Sequence, residues 1–398
     1  MTRELKRMPD SDVPALVAAL RAALDGTGPA ILPFDATRPS TASPDGRVGR
    51  SATVSRPSPD EAVPDDVALV IETSGSTGTP KRVGLSASAL LASAAASADA
   101  VGGKGQWLLC LPAHYVAGTN VLVRSIHAGT EPIVMPGGHF DAAAFVAASA
   151  RLSAPQRYAS IVPVQLARLV DATEADAAAA EALRRFDALL VGGQALRPEL
   201  RRRAEALGIR VVRTYGSSET SGGCVYDGTP IGATRARVGA GGVLELAGPT
   251  LAEGYLGDPE RTASTFAADA DGTRWYRTGD LGEVADDGTV TVLGRADNVI
   301  ISGGEKVLLD AVERHVKSLP GLADAVVVAA DDAQWGQVPV VVTAHGAGVE
   351  LAGIRASTAT ALGRAAAPAR VVAVAEIPHL PSGKPDRLAL AQLVAKGA

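Results

Sequence analysis

Residues 72–81 have the composition of a phosphate-binding loop. Hydroxyls, glycines and one lysine follow one another in Glu72-Thr73-Ser74-Gly75-Ser76-Thr77-Gly78-Thr79-Pro80-Lys81. Glycines permit positive φ angles, so successive backbone N–H groups can point into one concavity, where hydroxyls and an ammonium group add donors. Such a concavity complements phosphate oxygens. The segment predicts a nucleotide site whose donors are Thr73, Ser74, Gly75, Ser76, Thr77, Gly78 and Lys81.

The residues on either side of this loop indicate what kind of phosphate site it is. Residues 67–71 form an apolar run that predicts a strand buried in a parallel sheet, so the loop follows a strand end. A Walker P-loop has Gly-Lys-Ser/Thr at the start of a helix, whereas Pro80 precedes Lys81 here and Arg82 follows it. We therefore expect a strand or turn after the loop. The alternative is a Ser/Thr/Gly-rich surface turn that binds nothing.

A second polar block ends another predicted strand. The run 210–215 leads into Tyr215-Gly216-Ser217-Ser218-Glu219. Open α/β sheets bind ligands at the carboxyl ends of their strands, so Tyr215 can stack on an adenine ring and Ser218 can donate to a phosphate. The Glu219 carboxylate suits magnesium, which takes one or two carboxylates plus phosphate oxygens. A polar turn without a ligand is the alternative.

Helix and strand patterns alternate through most of the chain. A helix begins after Ser11-Asp12 and ends at Gly26, and a loop occupies 34–65. Further strands are predicted at 107–111, 132–135, 158–162, 186–191 and 210–215, with helices near 86–100, near 119–128, from Asp141, between 162 and 186, and near 197–207. This order predicts an α/β fold: a large N-terminal domain with mostly parallel sheets flanked by helices.

The pattern changes toward the C-terminus. From residue 231, short strands interrupted by glycine and aspartate predict a small β subdomain. After Asn298 we expect a small α+β domain with strands at 325–330 and 338–343, a final helix from Asp386, and a helix at 307–318 that buries Leu308, Leu309, Val312 and Val316. The predicted domains are therefore 1–296 and 297–398.

Composition limits the class of protein. The chain has 398 residues, a formal net charge of -5 and a pI near 5.8, without the basic stripe of a nucleic-acid surface. Cys110 and Cys224 lie among apolar or small residues, which fits free thiols in a reducing compartment. The charged N-terminus does not resemble a signal peptide, and no apolar run is long enough to cross a membrane. We expect a cytoplasmic enzyme with no nucleic-acid or membrane partner.

Further short blocks occur in the order that is typical of one enzyme family. They are Gly192-Gly193-Gln194, Tyr276-Arg277-Thr278-Gly279-Asp280, Gly294-Arg295-Ala296-Asp297, Ser302-Gly303-Gly304-Glu305 and Pro381-Ser382-Gly383-Lys384-Pro385-Asp386-Arg387. With the two blocks above, they make the chain similar to the adenylate-forming enzymes, the acyl-CoA ligases and their relatives. Each block is weak alone, and their common order carries the resemblance.

The resemblance implies which residues bind ATP and AMP. The phosphate loop would act with Gly193, Gln194, Tyr215, Gly216, Ser217 and Ser218. Asp280 would accept hydrogen bonds from the ribose hydroxyls, Arg295 would contact the nucleotide, and Glu219 would bind Mg²⁺. Lys384 is implied as the adenylation lysine, so Lys384, Glu219 and Arg295 form the implied catalytic set.

The resemblance also implies a reaction in two steps. A carboxylate attacks the α-phosphorus of ATP and gives an acyl-adenylate and pyrophosphate, with Lys384 bridging the carboxylate and the α-phosphate. A mobile C-terminal domain then rotates about Asp297, and the thiol of coenzyme A, bound near Gly303 and Gly304, releases AMP. Such chemistry depends on positioning and charge neutralisation rather than on a protein nucleophile, so both cysteines are expected to pack.

Residues 111–125 bear on which acid is activated. They resemble the corresponding stretch of the 2-succinylbenzoate:CoA ligases of menaquinone biosynthesis, whose substrate has a second, unreactive carboxylate. Burying that carboxylate unpaired is expensive, so Arg124 is predicted to hold it. The alternative for Arg124 is an arginine on the exposed face of a helix. The alternative for His114 is a histidine that packs in the core and binds nothing. The other predicted pocket residues are His114, Thr119, Asn120, Ser160, Val162, Pro163, Gln165 and Gly192.

The same motifs are compatible with other functions. Another aryl- or acyl-CoA ligase would need no second carboxylate, and a stand-alone amino-acid adenylating enzyme would pass its adenylate to a carrier protein. A degenerate nucleotide sensor would lose the activating groups, whereas Lys384, Asp280 and Glu219 are all retained. Few residues precede Glu72 compared with most of the family, and a homodimer is one way to cover the sheet edge that this leaves.

Overall fold

The computed structural model describes residues 1–37, 62–73, 81–344, 350–380 and 384–396. The predicted loop residues Ser74, Gly75, Ser76, Thr77 and Gly78, and the motif residues Pro381, Ser382 and Gly383, lie outside the described residues. The helices are α1 Val13–Leu24, α2 Ala87–Val101, α3 Val116–Ala128, α4 Ala142–Ser149, α5 Pro163–Ala175, α6 Ala177–Arg184, α7 Pro198–Ala206, α8 Pro259–Thr265, α9 Leu309–Lys317, α10 Leu351–Leu362 and α11 Arg387–Ala395. The strands are β1 Thr2–Pro9, β2 Ala30–Phe34, β3 Ala62–Pro64, β4 Val67–Thr73, β5 Lys81–Ser86, β6 Gln106–Leu109, β7 Ile133–Val134, β8 Arg157–Ile161, β9 Ala188–Val191, β10 Val211–Ser217, β11 Gly222–Tyr226, β12 Thr229–Pro230, β13 Arg235–Val238, β14 Val243–Ala247, β15 Gly254–Tyr255, β16 Phe266–Ala268, β17 Arg274–Val284, β18 Val290–Arg295, β19 Val299–Ser302, β20 Glu305–Leu308, β21 Val326–Asp332, β22 Gly336–Thr343 and β23 Arg370–Ala373.

The chain divides into two compact units. The first contains Met1–Ala236, Leu246–Tyr276 and Ala285–Val290, and the second contains Arg237–Glu245, Arg277–Val284 and Thr291–Ala398. The predicted α/β class is confirmed, and β13 to β18 supply the short strands expected after residue 231. None of the helices in the described part of the chain combines the length and the apolar composition that a bilayer span requires.

The first unit contains a mixed sheet with the order β15-β5-β4-β2-β1-β3. The predicted strand at 67–71 is confirmed as β4, which is buried and runs parallel to β2. The other neighbour of β4 is antiparallel, because Thr73 pairs with Lys81 in the ladder between β4 and β5, so the strand or turn expected after the loop is strand β5. The connection between these strands is short, whereas a parallel crossover needs a dozen or more residues.

The second sheet of this unit has the order β12-β11-β10-β9-β8-β6-β7. The prediction of a parallel sheet is confirmed from β7 to β10, and β11 and β12 add an antiparallel edge. Every residue of β9 is buried, as is every residue of β6. Helices cover the sheet through a core that includes Phe145, Leu166, Leu183, Leu189 and Leu200.

Local sequence signals explain where several helices begin. The Asp12 carboxylate accepts a hydrogen bond from the Ala15 N–H, and the Asp141 carboxylate accepts one from the Ala144 N–H, as expected of N-cap residues. One expectation failed, because the predicted loop at 34–65 contains β3. Strand β1 was not among the predicted elements, because its Arg and Lys residues hide a pattern in which only Leu5 and Met8 are buried.

The C-terminal part of the second unit is an α+β body. Its sheet has the order β20-β19-β22-β21, and β23 runs parallel to β22. Helix α9 buries Leu309, Val312 and Val316 against this sheet as predicted, whereas Leu308 ends strand β20 instead of belonging to the helix. The predicted helix after Asp386 is confirmed as α11.

Gly118 allows the start of α3 to lie close to the segment that follows β6. A Cβ atom at this position would lie 2.1 Å from the Pro112 carbonyl oxygen. We therefore expect Gly118→Ala to lower the free energy of unfolding by about 1–3 kcal/mol, because the backbone must shift to admit the methyl group. Thermal denaturation followed by circular dichroism measures the change. Gly137→Ala is the control, since a Cβ there meets no atom within 4 Å, and equal midpoints for the two variants would contradict the expectation.

Candidate functional site

The parallel strands bring several predicted residues to one edge of the second sheet. His114 follows β6, Val162 and Pro163 follow β8, Gly192 follows β9, and Tyr215 lies near the end of β10. Since carboxyl ends of neighbouring parallel strands share an edge, these segments lie side by side. A Cβ atom at Gly192 would lie 2.4 Å from the Thr214 Oγ1 atom, so a larger residue there would displace the Thr214 side chain. Beyond it, Gly193 has a φ of 80° and Gln194 is exposed.

The block that begins at Tyr215 is shaped by close backbone contacts. The ladder between β10 and β11 shifts register between Tyr215 and Gly216. A Cβ atom at Gly216 would lie 2.1 Å from the Gly222 carbonyl oxygen, so the backbones touch there. The Ser217 hydroxyl donates to the Tyr276 hydroxyl at 3.4 Å, and a 3₁₀ turn then carries Ser218, Glu219 and Thr220 into the interior.

Glu219 is buried beside a tyrosine that the sequence motifs did not include. The Tyr255 hydroxyl donates a hydrogen bond of 2.9 Å to the Glu219 carboxylate, whose residue is 8% exposed. Burial and the nearby Glu219 carboxylate raise the pKa of Tyr255, so Tyr255 stays a protonated donor. The Lys81 ammonium lies 5.5 Å from the centre of the same ring. The end of the phosphate loop and the predicted magnesium ligand therefore share one aromatic neighbour.

Arg124 is a buried cation that faces hydroxyls instead of carboxylates. The residue is 6% exposed, so the alternative of a surface arginine is wrong. Its guanidinium donates to the Ser160 hydroxyl and to the Tyr226 hydroxyl, each at 3.2 Å, and lies 4.9 Å from the centre of the Trp107 ring. Within the described ranges no acidic side chain pairs with it, and its Nε atom has no hydrogen-bond partner. None of these partners carries a negative charge.

Neighbouring residues hold this cation in place. The Tyr226 hydroxyl lies 2.8 Å from the Ser97 hydroxyl, which fixes the phenol that Arg124 contacts. One helical turn before Arg124, the Asn120 amide donates to the Ser221 carbonyl at 2.7 Å. Tyr226 lies in no recognisable motif, and no local signal in the sequence pointed to it.

Other predicted pocket residues form contacts within the protein. His114 Nδ1 lies 2.6 Å from an Asp10 carboxylate oxygen, a contact that the sequence did not predict. The Thr119 hydroxyl donates to the Ala113 carbonyl at the start of α3. The Gln165 side chain accepts from the Val162 N–H at 3.0 Å and donates to the Cys110 carbonyl at 3.2 Å. Thr119 and Gln165 thus hold the strand-end loops, and a direct role in binding stays a prediction for them and for His114.

The second unit contains its own cluster of predicted nucleotide residues. Arg295 donates to the Asp280 carboxylate at 3.2 Å and to both oxygens of Asp297, at 3.2 and 3.1 Å. Hydrogen bonds to Asp297, opposed by partial burial and helped by the charge of Asp280, raise the pKa of Arg295. The predicted ribose ligand, nucleotide-contacting arginine and hinge residue thus form one ion-pair group.

The remaining predicted residues of this unit lie at exposed turns. Gly303 has a φ of 58° and Gly304 a φ of 85°, and the Gly303 N–H donates to the carbonyl of Trp335, which is 51% exposed. Lys384 is exposed, and its carbonyl accepts a hydrogen bond of 2.7 Å from the Leu380 N–H.

Comparisons with known proteins agree with these motifs. The family model for "AMP-binding enzyme" matches residues 7–256, and that for "AMP-binding enzyme C-terminal domain" matches residues 311–384. A probable 2-succinylbenzoate–CoA ligase of Mycobacterium tuberculosis is 43% identical over 83% of this chain and 85% of its own length. A sulfoacetate–CoA ligase of Cupriavidus necator is 33% identical over 82% of this chain and 67% of its own length. The structure of o-succinylbenzoate CoA synthetase from Bacillus subtilis, in complex with an acyl-adenylate intermediate, superposes with a TM-score of 0.71 at 25% identity, covering 81% of this chain and 69% of that one.

Cys110 and Cys224 are packed in the first unit, and burial raises the pKa of each thiol to about 12. Both side chains stay protonated near neutral pH, and the thiolate is the reactive form. We therefore expect iodoacetamide at pH 8 to leave both cysteines unmodified in the folded protein and to modify both in denaturant, as measured by mass spectrometry. Rapid modification of either cysteine in the folded protein would contradict this expectation.

Proposed function

We propose that this chain, which belongs to the AMP-binding enzyme family, joins 2-succinylbenzoate to coenzyme A through an acyl-adenylate. The observation that carries the choice of acid is the buried Arg124 guanidinium, which has no carboxylate partner among the described residues. The relative from M. tuberculosis, which is named for this activity, supports the same choice.

The energetics of Arg124 favour a substrate with a second anionic group. Removing a charge from water costs several kcal/mol, and only an opposite charge with good geometry recovers that cost. Ser160 and Tyr226 supply acceptors without supplying negative charge. A dicarboxylic acid would add that charge with its unreactive carboxylate, whereas a monocarboxylic acid such as benzoate would leave Arg124 uncompensated. This difference would select for 2-succinylbenzoate.

The first unit also carries the groups proposed to bind ATP. Tyr215 stacks on adenine in this proposal, while Lys81 and the preceding loop hold phosphates. Glu219 fits Mg²⁺, because it is a single buried carboxylate with one oxygen taken by Tyr255 and phosphate oxygens can complete the coordination. When bound, Mg²⁺ would neutralise phosphate charge. Lys81 adds a positive charge that depends on no metal.

The second unit supplies the remaining groups in this proposal. Asp280 accepts from the ribose, Arg295 contacts the nucleotide, and Lys384 bridges the carboxylate and the α-phosphate during adenylation. Asp297 is the hinge between domains 1–296 and 297–398, and Gly303 with Gly304 forms a turn for coenzyme A whose glycines let the ligand approach the backbone.

Release of AMP from ATP, Mg²⁺ and coenzyme A tests the proposed acid. We expect turnover with 2-succinylbenzoate and about 10⁴-fold lower kcat/KM with benzoate, since a buried polar group left unpaired rejects a substrate that lacks its partner. Sulfoacetate, a fatty acid and an amino acid complete the panel. Turnover with sulfoacetate alone would keep the second-anion argument but change the acid, and equal turnover with benzoate would overturn the argument itself.

Replacement of Arg124 tests the residue that selects the acid. We expect Arg124→Leu to lower kcat/KM for 2-succinylbenzoate by about 10- to 150-fold, because a charge-assisted hydrogen bond contributes about 1.5–3 kcal/mol. Arg124→Lys keeps the charge but loses the forked geometry, so its kcat/KM should lie between those of the wild type and Arg124→Leu. Steady-state kinetics of AMP release measures both. Arg7→Leu is the control, since Arg7 is an exposed arginine stacked on Phe34. An unchanged KM in Arg124→Leu would show that another group holds the second carboxylate.

A further inference from the structure

The second unit holds a largely buried carboxylate with two cationic partners. Glu313 in α9 is 8% exposed. One of its oxygens accepts a hydrogen bond of 2.6 Å from the Lys317 ammonium, and the other accepts bonds from the Arg387 guanidinium at 2.6 Å and the Val327 N–H at 3.1 Å. Burial alone would raise the pKa of Glu313, but Arg387 and Lys317 hold that pKa below its usual range. The carboxylate is therefore charged at neutral pH.

Arg387 is the first residue of α11 and is held from more than one side. Its Nη1 atom donates to the Val327 carbonyl at 2.8 Å, while its Nη2 atom contacts Glu313 and lies 3.8 Å from an Asp310 oxygen. Both acids lie on α9, so Arg387 ties the start of α11 to that helix and to β21. A forked guanidinium between a carboxylate and a carbonyl fixes direction as well as distance.

The backbone connects this contact to Lys384. Lys384 lies three residues before Arg387. The Lys384 carbonyl accepts from the Leu380 N–H, and the Asp386 N–H donates to the Pro378 carbonyl at 2.8 Å. These bonds leave little freedom between Lys384 and the fixed end of α11. A shift of Arg387 would therefore be passed to the backbone that carries the Lys384 ammonium.

We propose that Glu313 is a positioning residue for adenylation, which acts by clamping Arg387 and thereby placing Lys384. The inference rests on the adenylation role proposed for Lys384. Glu313 touches neither substrate nor nucleotide in this scheme. Because catalysis here depends on placement, a misplacement of about 1 Å can cost about 100-fold in rate.

Separate rate measurements of the two half-reactions distinguish a loss of Lys384 positioning from a loss of overall structure. Pyrophosphate release from ATP and 2-succinylbenzoate without coenzyme A reports adenylation, and thioester formation from preformed succinylbenzoyl-adenylate and coenzyme A reports the second step. We expect Glu313→Gln and Arg387→Lys to slow the first by about 10- to 100-fold and to change the second by less than about twofold. Lys317→Met is the control, because Lys317 contacts the other oxygen of Glu313 and leaves the Arg387 clamp intact.

A double variant that combines Glu313→Gln with Lys384→Ala distinguishes failure of the Glu313 inference from failure of the role proposed for Lys384. In that background, Glu313→Gln should cause no further loss of adenylation, because the group that it positions is gone. Equal losses in both half-reactions, or a further loss in the double variant, would make Glu313 a merely structural residue and overturn the inference. If Lys384→Ala itself left adenylation unchanged, the proposed role of Lys384 would fall and the inference with it. If Lys384→Ala abolished adenylation while Glu313→Gln did not slow it, the inference alone would fall.

Discussion

The parallel pairing of β6, β8, β9 and β10 is the constraint on which the first unit depends. Hydrogen bonding between parallel strands sets their carboxyl ends at a common edge, so chain segments that are distant in sequence emerge side by side. Close approaches at Gly192, against the Thr214 side chain, and at Gly216, against the Gly222 backbone, then bring these segments near one another. The site thus depends on the register of these strands, whose buried apolar residues position it without contacting a ligand in the proposed function.

Two buried charged groups of the first unit have different surroundings. Glu219 accepts a hydrogen bond from Tyr255, whose ring centre lies 5.5 Å from the Lys81 ammonium, whereas Arg124 has only hydroxyls and an indole ring among the described residues. A buried group that lacks a counter-charge is costly unless binding supplies one. In the proposed function, both groups would meet charges that arrive with ligands: a cation with phosphates at Glu219, and an anionic group at Arg124.

The sequence predicted elements and motifs well and partners poorly. Strand β4, the cap at Asp12 and the helix after Asp386 carry local signals, and the order of short motifs identified the family, which the comparisons confirm. By contrast, Tyr226 contacts Arg124 across 102 positions of the chain, and Asp10 contacts His114 across 104. Such pairs arise only when the sheet is assembled, so no periodicity or propensity could have indicated them. Strand β1 was missed because its exposed charges outweigh its two buried residues.

The ion pairs of the second unit differ in the free energy that is needed to break them. Arg295 and Asp297 have side chains that are 49% and 57% exposed, and a surface pair of this kind contributes about 0–1 kcal/mol. Rotation about the proposed hinge at Asp297 could therefore break such a pair at little cost. The Glu313 side chain is 10% exposed, and removing one partner of a buried pair costs about 3–5 kcal/mol, less where a partner such as Arg387 is partly solvated. The weaker pair therefore lies at the proposed pivot, and the stronger pair lies behind Lys384, where the proposed chemistry requires the backbone to stay in place.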